Sequence, residues 1–150
     1  MLRAMVSPLK PAATRAAQTG RALWGLFFLA ASAINLLVTL PNPGFYRDFA
    51  GLTFFPFYRW LLLTIAVPNA VLISALVVVF ELAAGLLILW RGRAVAWGLA
   101  ATAGWVVFLC PSMGWYTLFS PLLLVIPAWL LRYSYPSSFV SLFRHDRTDA

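Results

Sequence analysis

Between Ala70 and Trp90 the chain reads AVLISALVVVFELAAGLLILW, a run with one charge, Glu81, that stops at Arg91-Gly92-Arg93. A helix of that length crosses about 30 Å of hydrocarbon, and few water-soluble folds have a use for it. Three more apolar runs frame it: Ala22 to Leu40, Ala94 to Met113 and the shorter Trp115 to Leu131. With 63% hydrophobic and 10% charged residues, the expectation is an all-α integral membrane protein. Its four spans form a transmembrane bundle with an interfacial or re-entrant segment after helix one. Lipid is then the solvent, and packing between helices supplies the stability that water exclusion supplies elsewhere.

The hydrophilic gaps set the organisation. Residues 1–20 carry Arg3, Lys10 and Arg15 and no acid, which reads as a flexible basic cytoplasmic leader. A transit peptide and a signal peptide are rival readings, the latter because small residues follow Leu26 to Leu29. The PNPG turn, Pro41 to Gly44, closes the first span. Residues 41–69 are too aromatic for a solvent loop, and Phe57 to Val67 is too short to span alone; a long second helix kinked at Pro68 is the alternative. Residues 133–150 read as a loose cytoplasmic tail.

Basic residues give the orientation. Arg3, Lys10, Arg15, Arg21, Arg91, Arg93, Arg132, Arg144 and Arg147 fall on one side, Arg47 and Arg59 on the other, which places both termini in the cytoplasm. Arg91, Arg93 and Arg132 are thus topology anchors. Trp24, Trp90, Trp97 and Trp129 mark inner boundaries, Trp115 and Tyr116 an outer one. The bases are scattered rather than gathered on one face, so nucleic acid is not an expected partner. Cys110 is the single cysteine and His145 has no ligating neighbour, so neither a disulfide nor a metal site is expected.

Glu81 is the exceptional residue. A carboxylate at the bilayer centre costs about 2.5–3.5 kcal/mol on insertion scales, so it should face the interior, protonated or paired. Ser74, Val77, Val78, Ala84, Gly85 and Ile88 share its helical face, and Ala84 with Gly85 admits a close neighbour. At about 1.5 Å per residue, Thr102 and Trp105 lie near its level and Ser32 and Asn35 somewhat outward. Asn35, Thr102 and Trp105 are therefore its candidate partners in ligand binding or proton exchange. The plainer reading is a neutral acid joining helices by a hydrogen bond. Arg47, Asp48 and Arg59 are expected to form an outer-surface ion pair or to contact lipid headgroups. No residue is assigned a catalytic role.

The segments GLFFLAASAINLL, TLPNPGFYRDF and LTFFPFYRW, and the pattern ELxxGLLILxRGR from Glu81 to Arg93, resemble the DoxX-like family of small four-helix membrane proteins over about residues 20–132. The resemblance implies a bacterial cytoplasmic-membrane location and a link to quinone chemistry, since the family takes its name from a membrane subunit associated with thiosulfate and quinone oxidation. This chain lacks a cysteine pair, paired haem-ligand histidines and a nucleotide loop, so it is not expected to be an enzyme alone, and no cofactor is evident beyond a quinone. The leading expectation is a protein that binds a lipophilic small molecule or docks a partner subunit around Glu81. The alternative is an accessory subunit of a quinone-linked membrane oxidoreductase with a redox partner; a small proton-coupled exporter ranks lower.

Overall fold

A computed structural model describes residues 10–109 and 120–139. Their regular elements are helices: α1 (Arg15–Ile34), α2 (Phe45–Leu52), α3 (Pro56–Leu61), α4 (Ala70–Leu89), α5 (Arg93–Leu109) and α6 (Ser120–Leu130). Wider π-helical turns, Asn35–Thr39 and Leu62–Ala66, extend α1 and α3. Met113, Trp115 and Tyr116, which bound the expected third and fourth spans, lie outside the described residues, as do Cys110, His145, Arg3, Arg144 and Arg147.

Two stretches, Arg15–Thr39 and Ala70–Leu89, are long and apolar enough to cross a membrane, while α5 and most of α6 are apolar but shorter. Only 33% and 28% of the apolar windows in the two long stretches is buried. A core helix of a soluble protein would be mostly buried. Here Leu23, Phe27, Leu37, Val71, Val79, Trp97, Leu122 and Val125 all point outward, far beyond the scattered apolar exposure of ordinary surfaces.

The inward faces build one core. α1 packs on α4, α4 on α5 and α5 on α6, and α6 also reaches α1. Trp24, Phe28, Ala84, Ile88, Val95, Leu99 and Leu130 are buried between them. Closest approach is between α1 and α4, where Gly25 and Gly85 face each other and a Cβ at Gly85 would sit 2.9 Å from the Gly25 carbonyl oxygen. Trp24, expected at a boundary, is instead 5% exposed within this core.

The segment after α1 folds back as two short helices. Pro56 opens α3 at a position where its missing N–H costs nothing. A turn at Val67–Asn69, with the Asn69 N–H bonded to the Ala66 carbonyl at 3.2 Å, separates α3 from α4, so no single kinked helix runs through Pro68. Tyr46 and Ala50 of α2 close a second core with Leu62, Ala66 and Ala70.

At the opposite end, the segment before α1 meets the segment after α6. The helix begins at Arg15 rather than Ala22, because Thr14 accepts the Ala17 N–H at 3.2 Å and an alanine-rich turn follows. Ala13 N–H donates to the Ser134 carbonyl at 3.1 Å, and Ser134 N–H to the Pro11 carbonyl at 2.9 Å. The part of the leader from Lys10 onward and the first tail residues are thus tied together rather than loose. Gly92 turns the chain from α4 to α5 with φ +63°, a conformation glycine adopts without a Cβ penalty, and its N–H donates to the Tyr135 carbonyl at 2.6 Å.

Tyr135 is the keystone of that end. Its hydroxyl donates to the Leu130 carbonyl at 3.0 Å, and the Arg21 guanidinium lies 4.9 Å from its ring centre. Burial, opposed by Arg21 and reinforced by Tyr133, pushes the phenol up to about 12. A folded pKa above the unfolded value near 10 means that the native state holds the proton longer, so its contribution is complete below pH 10 and lost as the pH climbs through 12. Relative to Tyr135→Phe, the wild type should melt higher by about 1 kcal/mol below pH 10 and lose that margin between pH 10 and 12. A margin constant across detergent melts over this range would refute the assignment.

Candidate functional site

The face of α4 that spacing assigns to the interior is the buried one: Ser74, Glu81, Ala84, Gly85 and Ile88. Glu81 is 6% exposed, and Asn35 Nδ2 donates to its Oε2 at 2.8 Å. Asn35 opens the π-helical turn of α1, where Leu40 N–H reaches back five residues to the Asn35 carbonyl at 2.8 Å. Such wide turns re-aim side chains and recur at functional sites. One turn earlier, Ser32 Oγ donates to the Val78 carbonyl at 2.9 Å, so α1 and α4 share two consecutive polar contacts.

The other expected partners of Glu81 lie elsewhere. Thr102 is buried, but its hydroxyl accepts the Trp24 indole N–H at 3.1 Å and donates to the Leu99 carbonyl at 3.0 Å. It ties α5 to α1. Trp105 packs its ring 4.8 Å from Phe80 and lines a cavity that Glu81, Asn35 and Thr102 do not line. Arg47, Asp48 and Arg59 are exposed, and among the described residues no ion pair joins them. Arg91, Arg93 and Arg132 are exposed at the end where the segments before α1 and after α6 meet.

The cavity has a volume of about 390 Å³, within the range of small-molecule sites. α3 and its π turn supply Leu61, Leu62 and Ile65, α4 supplies Ile73, Val77 and Phe80, and α5 supplies Trp105 and Phe108. Tyr58 stacks obliquely on Phe108 at 6.3 Å, closing α3 over α5. Tyr46 and Trp105 are the lining side chains that carry a polar group, a hydroxyl and an indole N–H. Ser74 Oγ donates to the Tyr46 hydroxyl at 3.2 Å, which ties α2 to α4. Burial raises the Tyr46 pKa, the Ser74 bond lowers it, and the Glu81 charge raises it further; the phenol stays a donor at neutral pH and lies within electrostatic reach of Glu81.

Sequence reasoning passed over Tyr46. The signal available was Tyr46 and Ala50 spaced one helical turn apart on an amphipathic octamer, masked by the adjacent Arg47-Asp48. Compared with known proteins, the chain matches no protein-family model, no curated protein and no solved structure.

Proposed function

We propose that the chain is a multi-pass protein of the bacterial cytoplasmic membrane, a DoxX-like four-helix transmembrane bundle with both termini cytoplasmic, that binds a lipophilic small molecule in the aromatic cavity beside Glu81. The membrane reading rests on apolar outward faces and on the basic residues at the end where the segments before α1 and after α6 meet. The binding reading rests on one observation: an almost wholly apolar cavity walled by Phe80, Trp105 and Phe108, whose lining side chains carry two polar groups, the Tyr46 hydroxyl and the Trp105 indole N–H. Such a site suits an apolar ring bearing an acceptor.

A quinone fits that description, since its carbonyl can accept the Tyr46 proton while its ring lies on Trp105. This favours the accessory-subunit reading as the alternative, with electron transfer belonging to a redox partner. The chain's own residues would bind and orient the ring and exclude water from it.

Decylubiquinone titrated into protein in nanodiscs should quench indole emission, and Trp105→Phe should remove most of that quenching. Val77→Phe, which fills the cavity, should weaken binding at least about tenfold, the scale of one misplaced contact in a tight pocket. Tyr46→Phe should weaken it by a smaller factor, reflecting one hydrogen bond of about 1 kcal/mol. Undiminished binding in Val77→Phe would overturn the cavity assignment.

A further inference from the structure

A second cavity, of about 430 Å³, opens at the end where the segments before α1 and after α6 meet, between α5 and residues 131–136. Ala96, Leu99 and Leu131 form an apolar floor, and Lys10 and Arg93 stand on the rim. Lys10 Nζ donates to the Leu131 carbonyl at 2.7 Å, which holds the ammonium over the floor with hydrogens to spare. Tyr135 forms one wall, and behind its ring lies the fully buried Arg21.

Arg21 sharpens the electrostatics. Its Nη1 donates at 3.3 Å to the Trp90 and Ser137 carbonyls, while Nε and Nη2 have no hydrogen-bond partner among the described residues. Among the described residues no carboxylate lies nearby: their acids are Asp48, at the far end, and Glu81, midway along α4. Three cations therefore bear on one cleft whose floor is apolar.

We infer that this cleft binds the phosphodiester headgroup of an anionic membrane lipid. Lys10 and Arg93 contact the phosphate, Arg21 adds positive potential through Tyr135, and the floor receives the glycerol and the first methylenes. A free phosphate would gain from the cations alone, whereas an amphiphile uses both halves of the cleft. Basic pockets between helices on the cytoplasmic side are suited to such lipids. The inference rests on the membrane orientation proposed above.

Protein reconstituted in nanodiscs of equal phosphatidylglycerol and phosphatidylcholine, then released for native mass spectrometry, tests it. Wild type should retain phosphatidylglycerol in preference. Lys10→Gln with Arg93→Gln should cut retention about thirtyfold, the weight of two basic side chains at a lipid surface. Arg132→Gln removes the same unit of charge beside the cleft without lining it and should retain lipid as wild type does. Should the double variant lose helix content by circular dichroism, Arg93→Gln alone, at an exposed position, should still cost about fivefold. Equal retention of both lipids, undiminished retention in Arg93→Gln, an equal loss in Arg132→Gln, or displacement by millimolar inorganic phosphate would each overturn the inference. Failure of the chain to enter nanodiscs would instead sink the membrane reading from which it starts.

Discussion

Gly85→Leu should separate α1 from α4 and lower stability by about 3 kcal/mol or more, at the upper end of what overpacking a tight contact costs. The obstacle is backbone. A Cβ at position 85 meets the Gly25 carbonyl oxygen at 2.9 Å and the Leu29 side chain at 2.7 Å. Leu29 can rotate aside, but the carbonyl belongs to a helix and moves only with it. Displacing α1 by the width of a methyl group also stretches the Ser32–Val78 and Asn35–Glu81 bonds, because both lie along the same contact. Gly85→Ala should show the same effect at about 1–3 kcal/mol. Gly104 is the control: nothing lies within 4 Å of its added Cβ, so Gly104→Ala should be neutral or slightly stabilising through helix propensity. Thermal melts of the three variants in one detergent decide it, and a Gly85→Leu melt matching wild type would mean that α1 and α4 do not pack at these glycines.

That contact was legible in the sequence because two signals coincide on α4. A lone carboxylate amid valines and leucines has to face protein, and the Ala84-Gly85 step on the same face is what close helix approach needs. Other features were less legible for identifiable reasons. Counting rise per residue fixes the level of a side chain but not its direction around the helix, so Thr102 was placed near Glu81 when its hydroxyl turns to Trp24. Tryptophan is ambiguous by nature, since an apolar body with one N–H suits both a membrane boundary and a buried hydrogen bond. The early start of α1 escapes any hydropathy reading, which does not register the helix propensity of alanine or the cap at Thr14. Tyr46 reaches Ser74 only because α2 folds back over α4, and nothing local in FYRDF encodes that return.

Asn35→Leu should destabilise the protein by about 1–3 kcal/mol, the cost of leaving a buried polar group unsatisfied, because Asn35 is the one hydrogen-bond donor to Glu81 among the described residues. Glu81→Gln should be much milder, since an amide oxygen can accept the same bond at the same place. The double variant Asn35→Leu with Glu81→Leu removes both members of the pair, leaves the Ser32–Val78 bond in place, and should recover most of the loss. The non-additivity of that cycle, about 1–2 kcal/mol, measures the pair itself. The same variants separate the two roles open to Glu81. If Glu81→Gln melts like wild type and binds the cavity ligand as well as wild type does, the carboxyl serves only to join α1 and α4. If it melts like wild type yet binds more weakly, the charge acts on the ligand through Tyr46, whose phenol it reaches electrostatically. Strict additivity in the cycle would mean that the Asn35–Glu81 bond carries no stability, and Glu81 would need another reason to sit in an apolar helix.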